Sequence, residues 1–237
     1  MEKIWYNVLQ FQRKVAIFLN NSNLVDMEHL LEMGQELLKE DIGEEKVQIL
    51  FSMARVCEAK SDKRALDYWD KITDNYSTDN YLLQALLGKA MFYQKSNDIS
   101  KILEIGKLLL EESNQRANDA YRMYAWEMFG SVDMKDSNYQ SALEAYSEMY
   151  CHAEKINDKP AQYRALAKLG IIWYKLGDNG MALSNLMKAN MIALETHHTI
   201  NIVIAEFLRG RILANSGKHE LASKNFEDCE NILENYL

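Results

Sequence analysis

Apolar residues recur at spacings of three and four along almost the whole chain, as in Ile4, Val8, Phe11, Val15 and Phe18 of the first stretch. That is the period of a helix burying one face. Between the apolar stretches a short polar turn keeps returning: Asn20-Asn21-Ser22-Asn23, Ala59-Lys60-Ser61-Asp62, Lys95-Ser96-Asn97-Asp98, Lys135-Asp136-Ser137-Asn138, Lys175-Leu176-Gly177-Asp178 and Asn215-Ser216-Gly217-Lys218. Their third residues fall at 22, 61, 97, 137, 177 and 217, so the successive intervals are 39, 36, 40, 40 and 40. Small polar residues and glycine suit both the end of one helix and the start of the next. After each turn a second pattern follows, with partners four and then three residues on. It reads Leu30-Gly34-Leu37, Ala65-Trp69-Ile72, Ile102-Gly106-Leu109, Ala142-Tyr146-Met149, Ala182-Leu186-Ala189 and Ala222-Phe226-Cys229. The last four triplets keep a constant interval of 40, which an accidental helical stripe would not hold.

The pattern predicts twelve helices in six antiparallel pairs. One proline, Pro160, and ten glycines in 237 residues are too few to punctuate a turn-rich β fold. Hydrophobic residues at 48% and charged residues at 26% give the balance of a globular chain with a core. The residues resemble the tetratricopeptide repeat family, whose first helix carries an aromatic, Leu-Gly and an aromatic, and whose second carries Ala, an aromatic and Ala. The best copy is Leu166, Leu169-Gly170 and Trp173, followed by Ala182, Leu186 and Ala189. Next come Trp126, Phe129-Gly130, Ala142 and Tyr146, and then Gly210, Gly217, Ala222 and Phe226. The resemblance runs over essentially the whole chain and is clearest from about residue 118 onward.

The resemblance implies an all-α solenoid of about six antiparallel helix pairs, a right-handed superhelix in one domain over residues 1–237. The expected repeats cover 1–40, 41–78, 79–116, 117–157, 158–197 and 198–237. Gly130, Gly170 and Gly210 are expected where the first helix crosses its partner, with Ala142, Ala182 and Ala222 facing them. The departures are a period of 40 against the family's usual value of about 34, no proline closing each repeat, and Gly34 where an aromatic belongs. Longer second helices, such as 181–196, are expected to absorb the extra residues. HEAT and armadillo repeats share a length of about 40 and stay open as the alternative fold.

Charge and motifs narrow the chemistry. With 27 Lys+Arg against 35 Asp+Glu the net charge is −8, which disfavours binding to nucleic acid or an anionic membrane. No run of 18 apolar residues occurs, and the start of the chain lacks the order of a secretory signal. Three widely spaced cysteines, Cys57, Cys151 and Cys229, fit a reducing cytoplasm. No phosphate-cradling glycine motif is present, and His219-Glu220 lacks the second histidine of a metalloprotease helix. Cys151-His152 and His197-His198 are neighbours on a helix and point in different directions. The expectation is therefore no enzyme, no metal and no cofactor.

What remains, by resemblance, is a concave groove lined by the first helices. Its positions carry over as Tyr124, Glu127 and Ser131 around Gly130. Around Gly170 they are Arg164, Ala167, Ile171 and Tyr174, and around Gly210 they are Ile204, Phe207 and Arg211. Two arginines and three aromatics suit a peptide with apolar and acidic groups. Arrays that clamp a C-terminal carboxylate need Lys and Asn, whereas Val47, Leu50, Ala54, Gln84, Leu87 and Met91 stand at those positions. The expected function is a protein-binding or peptide-binding scaffold or adaptor. The alternative is a peptide-sensing regulatory domain of a bacterial signalling system, since such arrays also use repeats near 40.

The last two helices differ in kind. The closing one has a single apolar stripe, Ala222, Phe226, Cys229, Leu233 and Tyr236, and suits an end facing water. The one before it is apolar nearly all round, through Ile200, Ile202, Val203, Ile204, Phe207, Leu208, Ile212 and Leu213, with Glu206 and Arg209 at packing positions. With no seventh pair to cover it, some of Ile200, Ile204 and Phe207 are expected to be exposed. That patch would bind a partner segment or a second copy of the chain, giving a homodimer through the C-terminal repeats.

Overall fold

The computed structural model describes residues 2–76 and 80–236. Among the described residues there are twelve helices and no strand. They are α1 (Glu2–Asn20), α2 (Met27–Lys39), α3 (Glu45–Ala59), α4 (Arg64–Asn75), α5 (Asn80–Lys95) and α6 (Ile99–Gln115), then α7 (Asp119–Lys135), α8 (Tyr139–Lys155), α9 (Lys159–Lys175), α10 (Asn179–Glu195), α11 (Thr199–Asn215) and α12 (His219–Tyr236). None is long and apolar enough to cross a membrane. Packing divides the chain into two compact units, Met1–Leu109 and Leu110–Leu237, with the division inside α6.

The first unit is built around large side chains. Phe11 and Phe18 of α1, Leu30 and Leu31 of α2, Ile49 and Met53 of α3, and Trp69 and Ile72 of α4 are all buried in one cluster. The predicted stripe of the first helix points inward here, with Val8, Phe11, Val15 and Phe18 buried. The second unit uses smaller contacts. Ala142, Ala153, Ala161, Ala165, Ala189, Ala193 and Ala205 have no exposed surface, and Tyr146, Met149, Leu166, Leu169 and Ile172 fill the space between them. The side chain of Tyr236, last in the expected closing stripe, lies outside the described residues.

Helices α7 to α11 each have 17 residues, and starts at 119, 139, 159, 179, 199 and 219 set a pitch of 20. A turn of one form joins them. Its middle residue is left-handed: Ala117, Ser137, Asn157, Gly177, His197 and Gly217 have φ of 50, 60, 55, 89, 52 and 75°. The next residue sends its N–H back to the preceding helix, as from Asn138 to the Asp133 carbonyl (2.8 Å), Asp158 to Ala153 (2.9 Å) and Asp178 to Trp173 (2.9 Å). This satisfies carbonyls that a helix end leaves without partners. The same residue then opens the following helix. The Asp158 and Asp178 carboxylates accept the N–H of Ala161 (2.9 Å) and Met181 (2.8 Å), a capping bond worth about 1 kcal/mol.

Two sequence expectations are corrected here. The added length is not confined to second helices, because α9 and α10 have 17 residues each. The turn also occurs between pairs, at 117, 157 and 197, as well as within them. The glycine crossings are refined as well. A Cβ on Gly130 would lie 2.7 Å from the Tyr146 ring, one on Gly170 2.7 Å from Leu186 Cγ, and one on Gly210 2.6 Å from the Phe226 ring. Each glycine thus makes room chiefly for the large middle residue of the next triplet. At Gly170 the facing alanine is close as well, its Ala182 carbonyl lying 3.2 Å from that Cβ.

Gly130→Val is therefore expected to lower stability by about 1–3 kcal/mol through overpacking against Tyr146, measured by chemical denaturation. At the turns, Ser137→Gly should raise stability and Gly177→Ala lower it, each by about 1 kcal/mol, because only glycine takes a positive φ without penalty. Opposite shifts of the two thermal unfolding curves are the result to look for.

Candidate functional site

All the candidate groove residues lie in the second unit, on the first helices of its pairs. Tyr124 and Glu127 stand on α7, Arg164, Ile171 and Tyr174 on α9, and Ile204, Phe207 and Arg211 on α11. The 40-residue period brings neighbouring pairs side by side, and two of these side chains, Glu127 and Arg164, bond to each other across it. Arg164 donates from Nε and an Nη to the two Glu127 carboxylate oxygens, both at 3.0 Å. These bonds hold the Arg164 proton more tightly than usual. The fork is bidentate and partly buried, so the two charges largely cancel. Tyr174 accepts at its hydroxyl from Asn215 Nδ2 of α11 at 2.6 Å. Tyr163, chosen by no motif, donates to the Asn201 carbonyl at 2.9 Å, and burial pushes its phenol up to about 12.

Arg164 and Tyr174 are thus half-buried groups tied into the stacking of one pair on the next. They differ in this from the freely exposed recognition groups expected of a groove. Ser131 turns its hydroxyl onto the Met128 carbonyl of its own helix (2.8 Å), and Tyr124 and Ala167 pack against the unit's core. Ile171 is half-buried on the same face.

The α11 residues behave differently. Ile200, Ile204 and Phe207 are 42%, 43% and 47% exposed, a large apolar exposure on one helix face. Arg211 continues the row one turn on and sets its guanidinium over the Phe207 ring at 5.9 Å. Phe207 is backed by Phe226 of α12 at 5.8 Å. Glu206, which the sequence placed awkwardly at a packing position, is nearly buried and well partnered. It accepts from Asn190 of α10 (2.6 Å), from Arg209 (2.5 Å) and from Asn225 of α12. The polar knot clamps three helices together and leaves the α11 row facing outward.

Elsewhere in the unit, His152 Nδ1 meets Asp119 Oδ1 at 2.7 Å, with Arg122 on the same oxygen at 3.0 Å. This ties the end of α8 to the start of α7. Cys151 beside it is an exposed free thiol, and no group of three metal-ligating side chains occurs among the described residues. In the first unit the groove register needs correction on α3. Val47, Leu50 and Ala54 are buried core, and Gln48, Ser52 and Arg55 stand where the groove positions were expected, opposite Gln84, Leu87 and Met91. The signal that could have found them is the polar complement of the α3 apolar stripe.

No family model and no curated protein matches the chain. Solved structures do. BtubC (BKLC) from P. vanneervenii superposes with a TM-score of 0.77 at 13% identity, over 95% of this chain and 92% of that one. Aspartyl phosphate phosphatase F from Bacillus subtilis gives 0.71 at 13% identity, over 97% and 70%. A Podosopora anserina putative kinesin light chain with nearly identical TPR-like repeats gives 0.65 at 12% identity, over 82% and 98%. At these identities the likeness is one of fold, and it agrees with the glycine, the triplets and the paired helices. The chain has the tetratricopeptide-like helical-repeat fold.

Proposed function

We propose that the chain is a non-catalytic protein-interaction scaffold, and that the α11 face of its second unit holds a segment of a partner protein. The observation that carries this reading is the row Ile200, Ile204, Phe207 and Arg211, exposed at helical spacings of four, three and four. Three apolar side chains kept in water on a helix otherwise well packed are an energetic burden unless something covers them. Phe207 is held by Phe226 behind it, so its ring is preorganised for contact. The partner segment carries apolar side chains for Ile204 and Phe207 and a carboxylate for Arg211. Arg164 is a poorer anchor for that carboxylate, since Glu127 already occupies two of its donors.

Arg211→Glu alters an exposed position and should move stability by no more than about 0.5 kcal/mol. Phe207→Asp also gives up the Phe226 ring contact and should cost about 1–2 kcal/mol. The folded state of both variants is therefore checked by thermal unfolding first. Immobilised wild type and both variants are exposed to lysate of cells expressing the gene, and retained proteins are quantified by mass spectrometry. The expected result is a protein held by wild type and depleted at least about tenfold on each variant, the loss of roughly 1.4 kcal/mol of binding. Equal retention on all three sinks the reading. Light scattering on the same samples separates the competing outcome. A wild-type dimer that becomes monomeric in Phe207→Asp would assign the row to a second copy of the chain.

A further inference from the structure

The 40-residue period supplies an internal comparison for the exposed positions of the second unit. On α10 the outward row is Met187, Met191 and Leu194, which are 53%, 64% and 52% exposed. The same row reads Ser147, Cys151 and Glu154 on α8 and Glu227, Asn231 and Glu234 on α12, all of them exposed. Of these three second helices, α10 alone meets water there with methionine and leucine. Apolar side chains exposed singly are ordinary, but a run at spacings of four and three on one helix is a continuous patch. It stands on a second helix, and the row through Phe207 stands on a first helix, so the two surfaces are separate.

The α10 row runs into a cleft of about 270 Å3 between α10 and α12. Leu183 and Met187 of α10, Leu213 of α11 and the exposed Leu221 of α12 give it aliphatic walls. Its polar members Arg209 and Asn225 each direct a donor to Glu206, so the cleft offers a visitor chiefly the four aliphatic side chains. Methionine, unbranched and polarizable, adapts to the apolar shape that arrives.

Charge and backbone chemistry choose the occupant. The flanking outward positions carry Glu144, Glu148 and Glu154 on α8 and Glu227, Asp228 and Glu234 on α12, against Lys155, Lys188 and Lys224. Such a surface attracts a cationic partner and repels nucleic acid or an anionic membrane. A second copy of the chain would bring its own carboxylate rows against these. An extended segment would lay its backbone N–H and C=O groups on methyl groups that cannot pair with them, whereas a helix satisfies its own. We propose that α10 docks a basic amphipathic helix of a partner protein. The apolar stripe of that helix lies along Met187, Met191 and Leu194, and one large apolar side chain enters the cleft beside Leu221. Its Lys or Arg residues stand over the carboxylates of α8 and α12.

The test uses the full chain and a fluorescein-labelled Leu/Lys peptide of about 18 residues, five helical turns, with its leucines in one stripe. A scrambled peptide of the same composition has no stripe. Fluorescence anisotropy should show the striped peptide binding about tenfold more tightly than the scrambled one, with affinity falling as salt is raised. The double variant Met187→Ser, Met191→Asn takes side chains that α8 and α12 carry in this row, so it should fold as wild type. Its affinity for the striped peptide should fall about tenfold. Phe207→Asp should bind as wild type does. In methyl NMR the Met187 and Met191 signals should move on titration while those of the buried Met123 and Met149 stay in place. No binding, equal binding of the two peptides, unchanged affinity in the double variant, or unmoved Met187 and Met191 methyls would each overturn the proposal. So would a wild-type dimer that the double variant makes monomeric, which gives the row to a second copy. Loss of binding in Phe207→Asp would overturn it too, by placing the peptide on α11.

Discussion

A helix that must reverse within three residues has little freedom in how it does so. One residue takes a left-handed conformation, and the next returns its N–H to the helix just ended while opening the one about to begin. In the second unit this turn recurs at every junction from Ala117 to Gly217, and it holds the pitch at 20 residues. The pitch is why side chains far apart in sequence meet. Glu127 and Arg164 are 37 residues apart, Tyr163 and Asn201 are 38, and Tyr174 and Asn215 are 41. Each bond joins one pair to the next near the same height, which follows from turns of equal length.

Much of this was legible in the residues. The triplets from Leu30 to Cys229 carry their period because the buried side of a helix tolerates only certain sizes, and nearly all their members are buried. The turns within pairs announced themselves through Ser137, Gly177 and Gly217. Those between pairs did not, since Ala117, Asn157 and His197 adopt the same conformation with dissimilar side chains. There the geometry is imposed by the helices on either side. The site was harder to read. Nothing in the sequence says that Glu127 faces Arg164, because that pairing depends on how two pairs stack. On α3 the polar positions were assigned to the wrong face, since an almost continuous apolar run from Val47 to Ala54 blurs the stripe.

The two units solve the packing problem with different materials. The second repeats an interchangeable set of alanines and one larger residue, and so approaches a regular array. The first relies on Phe11, Phe18, Trp69 and Met53, whose shapes must fit individually. Its intervals of 39 and 36 reflect that irregularity. The same bulk lets Trp69 of α4 touch both the Phe51 ring of α3 and the α5 backbone at Gly88, something an alanine contact cannot do.

The equal pitch also constrains how such a chain can change its length. Adding or removing 40 residues at corresponding points leaves every later turn and every glycine crossing in step. Adding one residue inside α9 would rotate all that follows on that helix by about 100°, carrying Gly170 away from Leu186 and Tyr174 away from Asn215. Indels in the second unit are therefore tolerable as whole pairs or at the exposed turns, and the helices themselves behave as a ruler.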